Sequence, residues 1–159
     1  MKTISRLSIL MTIVLLSFSI NSCGQSQEKR IITLYVDTGQ ITNNKVNEFS
    51  NFGQKDGSSN EDYTTNVNVG DIVVWKGVST SSENDVVNIV SIQHENGNDV
   101  FSKNRLPGNG GDPEIVVGLV LSLAPQGMEY KYKIAFTIMN NGVKRNGTFH
   151  IDPKIRVDQ

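Results

Sequence analysis

Residues 67–79 read Val-Asn-Val-Gly-Asp-Ile-Val-Val-Trp-Lys-Gly-Val-Ser and hold the only tryptophan of the 159-residue chain. Val67 and Val69 alternate with Asn66 and Asn68, which is the mark of a strand with one buried face. Gly70-Asp71 is a turn signal, and Ile72-Val73-Val74-Trp75 is a short apolar run of the kind a buried strand uses. The stretch predicts core architecture and carries no reactive group.

The flanking sequence reads the same way. Upstream, Ile31 to Asp37 is β-branched and aromatic, a first strand with Ile32, Leu34 and Val36 on one face, ended by Thr38-Gly39. Tyr63 and Thr65 continue the face of Val67 and Val69. Between them, residues 40–62 are rich in Asn, Ser, Gly, Asp and Glu, with Ile41, Val46, Phe49 and Phe52 scattered through. A loop of this length in a compact domain is either a surface excursion pinned by its phenylalanines or a ligand-facing or partner-facing segment.

Downstream, a polar turn over Thr80 to Asp85 leads into the strand Val86 to Ile92, and Asn96-Gly97 turns the chain toward Val100-Phe101. Residues 103–114 contain Pro107, Pro113, Gly108, Gly110 and Gly111, which predict a loop. Ile115 to Leu123 is an apolar strand broken by Gly118 and Ser122 and closed by Pro125-Gln126-Gly127. Tyr130, Tyr132, Ile134, Phe136 and Ile138 then alternate with polar or small residues, the clearest one-face-buried strand in the chain. Asn140-Asn141-Gly142 signals a hairpin, residues 147–151 return as the paired strand, and Asp152-Pro153 interrupts the ladder before Ile155 and Val157. About six to eight short strands with turn signals between them predict an all-β, antiparallel two-sheet β-sandwich of jelly-roll, cupredoxin-like or immunoglobulin-like topology, with no long helix.

The N-terminus predicts export. Lys2 and Arg6 precede an uncharged run from Leu7 to Ile20, too short for a permanent span, and then Asn21-Ser22-Cys23-Gly24. Cys23 is the only cysteine, and the pattern resembles a bacterial lipobox. The expected organisation is a lipoprotein signal peptide over 1–22, a lipidated Cys23 with a flexible tether over 23–30, and one sandwich domain over 31–159. Such a protein sits in the bacterial envelope, held to a membrane by its lipid.

Composition narrows the partners. With Lys2 and Arg6 in the leader, 13 of the 15 Lys and Arg remain against 16 acidic residues, a net charge of −3. With no basic run and no aromatic-basic stripe, nucleic acid is not an expected partner. The single cysteine excludes an internal disulfide from the mature domain.

The chemistry is sparse. Val69 to Trp75 is similar to the strand preceding the first copper histidine of cupredoxins, but a blue-copper centre needs a thiolate. Cys23 is at the tether, and His94, His150, Met128 and Met139 are not in the cupredoxin arrangement. No Gly-x-Ser-x-Gly elbow supports a catalytic serine. His150 reads as an outward strand residue and His94 as a solvated residue beside a turn. No metal site is assigned. The nearest candidates are the loop carboxylates Glu95, Asp99, Asp112 and Glu114, hard oxygen ligands of the calcium type without EF-hand spacing. Asp71, Asp85 and Asp152 read as strand-end residues that nothing in the sequence pairs. A cupredoxin-like or calcium-dependent metal-binding protein is therefore the alternative to a non-enzymatic module with no cofactor.

Four pieces in order resemble the AidA/PixA inclusion body protein family: Val36-Asp37-Thr38 ending the first strand; Asn68 to Ser79 with its Gly-Asp-x-x-x-Trp-x-Gly core; Asn98-Asp99-Val100-Phe101-Ser102; and the Tyr132 to Ile138 strand followed by Gly147 and Ile151-Asp152-Pro153-Lys154-Ile155-Arg156-Val157. The resemblance covers roughly residues 31–157. It implies a β-sandwich without recognised enzymatic activity, prone to self-assembly, with no catalytic residues to carry over. The chain departs from the family in its export signal, since family members are commonly cytoplasmic, and in Ile151, where an aromatic residue is frequent. The expected function is a lipid-anchored binding or self-assembling module. Its 40–62 and 103–114 loops would face a glycan, peptide or protein, and its copies would associate as a homo-oligomer.

Overall fold

The computed structural model describes residues 27–55, 57–122 and 129–158. Cys23, the leader before it, Met128 and the Pro125-Gln126-Gly127 turn lie outside them. The described chain is all-β with no helix, eleven strands in two packed sheets: β1 Lys29–Val36, β2 Ser50–Asn51, β3 Thr64–Asn68, β4 Ile72–Ser79, β5 Val86–Asn96, β6 Arg105–Pro107, β7 Val116–Leu119, β8 Glu129–Asn140, β9 Val143–Lys144, β10 Phe149–Ile151 and β11 Lys154–Asp158. A four-stranded sheet has the order β2-β1-β4-β7, and a seven-stranded sheet the order β3-β11-β8-β5-β6, with β9 and β10 also on β8.

The sandwich is as the periodicity predicts, but its pairing is mixed rather than wholly antiparallel. β1 runs parallel to β4, and β3 runs parallel to β11. Parallel neighbours need a long connection between them. The excursion over 40–62, followed by a crossing into the other sheet as β3, supplies it for β1 and β4.

β8 organises the larger sheet. Its even-numbered residues from Tyr130 to Ile138 are buried, as strict alternation requires of a strand with one face on the core. β5 pairs along one edge with register shifts between Ile89 and Ser91 and between His94 and Asn96. Along the other edge lie β9, β10 and β11 in turn, so the predicted hairpin return is a ladder in three short pieces. Pro153, which has no N–H to give, sits in the break and still accepts from Tyr132 N at 3.2 Å.

The predicted 103–114 loop contains one strand, β6, paired with the edge of β5. Its proline is tolerated because an edge strand leaves one side of the backbone unpaired. Within the loop, Asn109 Oδ1 accepts from the amides of Gly111 and Ile115 and Glu114 Oε1 from that of Gly110, while the Glu114 amide donates to Asn88 Oδ1 at 2.6 Å and ties the loop to β5.

The core lies between the sheets. Trp75 of β4 is 1% exposed and packs edge-on against Phe101 and Tyr132, and its indole N–H donates to the Tyr132 hydroxyl at 3.1 Å. Gly70, at φ 93°, makes the turn that brings β3 into β4, a conformation that disfavours any side chain.

Candidate functional site

The 40–62 excursion is built rather than loose. Ile41, Val46 and Phe52 are buried in the core, and Phe52 stacks on Tyr63 with centroids 4.6 Å apart. β2 pairs with Tyr35 and Val36, which ties the middle of the excursion to the edge of the smaller sheet.

Its polar centre is Asn60, 4% exposed. The Asn60 side-chain amide donates to Ser50 O at 2.8 Å and to Asn47 Oδ1 at 3.3 Å, and its carbonyl accepts from Gln54 Nε2 at 2.9 Å. Gln54 Oε1 in turn accepts from Phe52 N at 2.7 Å. A buried amide with all these partners fixes the segment, because a polar group taken from water must be bonded inside. Over this base lies a surface groove lined by Asn47, Glu48, Asn51, Gln54, Ser58 and Glu61. Amides offer a donor and an acceptor on one planar group, the geometry that reads hydroxyl and peptide groups. Phe49 and Phe52 are the pins the sequence predicts; the part played by Asn60 is hidden there, because asparagine in a polar stretch reads as turn chemistry.

A second polar cluster closes one end of the sandwich. The Thr38 hydroxyl, on a residue 1% exposed, donates to Asp85 Oδ2 at 2.6 Å and lies 2.8 Å from Ser79 Oγ and 2.9 Å from Ser81 Oγ. Asp85 also accepts from Asn140 Nδ2 and Asn141 N. The Arg145 guanidinium donates to the Thr38 and Ile41 carbonyls at 2.9 Å each and lies over the Phe149 ring. The Thr38 hydrogen bond, with Asn140, the Asn141 amide and the Arg145 charge behind it, outweighs burial and holds the Asp85 carboxyl below its usual range. This cluster joins β1, β4, β5 and β8, and its groups are spent on one another.

The remaining predicted carboxylates are dispersed. Asp71, 1% exposed, accepts from Asn68 N at 2.9 Å, Glu28 N at 3.2 Å and Arg30 Nε at 3.4 Å. Burial opposes its charge, but these donors prevail and its carboxyl titrates below the ordinary value. Glu95 pairs with Lys133. Asp99 caps the Phe101 amide at 3.1 Å, Glu114 bonds Gly110, and Asp112 is exposed. Among the described residues, no three His, Cys, Asp or Glu side chains come together to hold a metal ion. Of the four calcium candidates, Glu95 serves an ion pair and Asp99 and Glu114 serve turns, as loop carboxylates ordinarily do, while Asp112 stands exposed.

His150 faces solvent from β10. His94 is half-buried rather than solvated: its ring stacks on Tyr130 with centroids 5.1 Å apart, and Nε2 lies 3.0 Å from Gly97 O. Met139, half-buried on β8, pairs with Val86 and Lys144.

Asp152 and Asp85 give opposite pH signatures. Asp152 lies between β10 and β11 with one buried carboxylate oxygen lacking a partner among the described residues. Burial foremost, then the Glu95 charge, pushes its carboxyl above the usual range against the pull of Lys133 and Lys131. A raised folded value makes its contribution fullest below the unfolded value of about 4 and lost as pH rises through the folded one. For Asp85, with its lowered value, the contribution is present at neutral pH and lost as pH falls through the folded value. Asp152→Asn is therefore expected to raise Tm at neutral pH and Asp85→Asn to lower it. Both differences should vanish in strong acid; Tm measured across pH, with either difference persisting there, would refute the assignment.

The class defined by this geometry is an all-β sandwich with a polar surface groove. No protein-family model matches the sequence, and no curated protein is significantly similar to it. The fold does match the crystal structure of a PixA inclusion body protein from Burkholderia cenocepacia, at 13% identity and a TM-score of 0.59, covering 86% of this chain and 98% of that one. At that identity the likeness is one of fold.

Proposed function

We propose that this chain is a non-enzymatic, lipid-anchored envelope protein whose 40–62 excursion binds a hydroxyl-rich ligand, a glycan in the first instance. The observation carrying this reading is the Asn60-centred framework, which orders a long polar segment and leaves an amide-lined groove on its surface. Rigid scaffolds that present ordered loops are where binding function concentrates. The fold likeness to an inclusion body protein supports a role carried by surfaces rather than by a reactive centre. The lipobox-like Asn21-Ser22-Cys23 supports the anchor, with Cys23 as the modified residue.

Purified protein on glycan and cell-wall arrays should bind a restricted set. Asn47→Ala, at the exposed rim of the groove, should weaken that binding about tenfold with an unchanged circular dichroism spectrum, roughly the loss of one good hydrogen bond. Asn60→Ala should abolish binding and lower Tm as well. Absence of binding to every glycan, or full binding by Asn60→Ala, would sink the ligand reading. Fatty-acid labelling that survives Cys23→Ala would sink the anchor.

A further inference from the structure

Among the described residues, the outward face of the four-stranded sheet carries exposed apolar side chains around a buried centre, Val74 at 7% exposure. In the observed register its rows are Lys29-Ile72-Leu119, Ile31-Val74-Val117, Thr33-Lys76 and Asn51-Tyr35-Val78. Ile31 is 54% exposed, Val117 48%, Leu119 42% and Leu121, just past β7, 52%. Contiguous exposed apolar surface on a sheet marks an interaction site, because isolated apolar residues are ordinary and grouped ones are not. No strand position on this face carries a carboxylate, and both of its charges, Lys29 and Lys76, are positive, although the mature chain is acidic overall.

We infer that this face lies against the anionic surface of the bilayer that holds the lipid anchor, an inference that rests on the lipidation of Cys23. Position argues first. Cys23 precedes Lys29 by six residues, a stretch that spans at most about 20 Å. The apolar row Lys29-Ile72-Leu119 is thus the part of the face nearest the anchor. Charge argues second. A second copy docking the same face by two-fold symmetry would bring Lys29 and Lys76 onto a surface with no carboxylate to answer them. Anionic headgroups answer both lysines, while the aliphatic rows and the Tyr35 ring suit the interfacial zone. Docking of this kind orients the domain and leaves the outer surface of the other sheet facing water.

The test uses the full-length lipidated protein in phosphatidylglycerol-containing vesicles. Because acylated Cys23 has no free thiol, Val117→Cys and, on the opposite sheet, His150→Cys each take a single environment-sensitive fluorophore. The label at 117 should lose most of its fluorescence to lipid-borne nitroxides while the label at 150 keeps its own. In phosphatidylcholine vesicles the loss at 117 should shrink, as it should in a Lys29→Glu/Lys76→Glu background. An unquenched label at 117 on protein that floats with the vesicles overturns the docked face and leaves the anchor standing. An unquenched label on protein that does not float removes both. Protection at 117 that ignores lipid nitroxides and is relieved by dilution assigns the face to a second copy and overturns the inference.

Discussion

Replacing Trp75 with alanine is expected to remove about 3–5 kcal/mol of folding free energy, the range for deleting a large buried aromatic. For a domain with a total of about 5–15 kcal/mol that is enough to leave a sizeable unfolded fraction. The side chain is 1% exposed, meets Phe101 and Tyr132 edge-on at 5.5 and 5.7 Å, and sits where the two sheets face each other. No neighbour can refill a space of that shape without leaving its rotamer. Urea unfolding should show a lower midpoint with an unchanged slope. Trp75→Phe separates packing from polarity: it keeps an aromatic ring but strips the Tyr132 hydroxyl of its indole donor, 3.1 Å away. An orphaned buried polar group costs about 1–3 kcal/mol. Tyr132→Phe should therefore cost less in the Trp75→Phe background than alone. If Trp75→Ala lost under about 1 kcal/mol, an ordinary surface effect, the place of Trp75 at the centre of the core would be untenable.

How much of this was legible in the sequence follows from how far each signal reaches along the chain. Alternation from Tyr130 to Ile138 is local, and so β8 and its buried face were readable directly. The Asn140-Asn141-Gly142 turn was readable for the same reason. Strand direction is not local: nothing within Lys29–Val36 tells that its partner Ile72–Ser79 runs parallel, because the cause is the path between them. The run Ile72-Val73-Val74-Trp75 predicted a buried strand, and three of its four residues are buried, yet on two sides: Val73 and Trp75 turn into the core, while Ile72 and Val74 share a face with the exposed Ile31 and Val117. An apolar residue has the same letter whether it is covered by its own core or left for something else. Asn60 and the Thr38–Asp85–Arg145 cluster were hidden for a related reason. Each is polar in a polar segment; Asn60 meets partners 6 to 13 residues back inside the excursion, and the Thr38 cluster joins residues 41 to 107 apart. The carboxylates Glu95, Asp99, Asp112 and Glu114 were visible as a group only in sequence, since Asp99 and Glu114 bond nearby amides, Glu95 pairs with Lys133 and Asp112 is exposed.

The second large effect is expected at Gly77, where the spacing of the sheets rather than the contents of the core is under test. Gly77 lies on the inward side of β4, paired with Leu34, and faces β5. A methyl group added there would run into the Val87 side chain and sit 2.6 Å from the Val87 carbonyl oxygen. A flexible side chain could swing clear of such a contact, but Val87 is 1% exposed with a branched Cβ, and its carbonyl belongs to a central strand. Gly77→Ala should accordingly cost about 1–3 kcal/mol or more through overpacking, despite the better strand propensity of alanine. Val87→Ala alone should also destabilise, by leaving a cavity. Combined, the two should partly compensate, because the new methyl enters space the valine has vacated, with a coupling of at least about 0.5 kcal/mol. The compensation stops short of full rescue, since the Val87 Cβ and carbonyl oxygen, each 2.6 Å from the new methyl, stay in place. Strictly additive losses in the double-mutant cycle would mean that Val87 does not set the limit at Gly77, and the close approach of β4 to β5 would then need another cause.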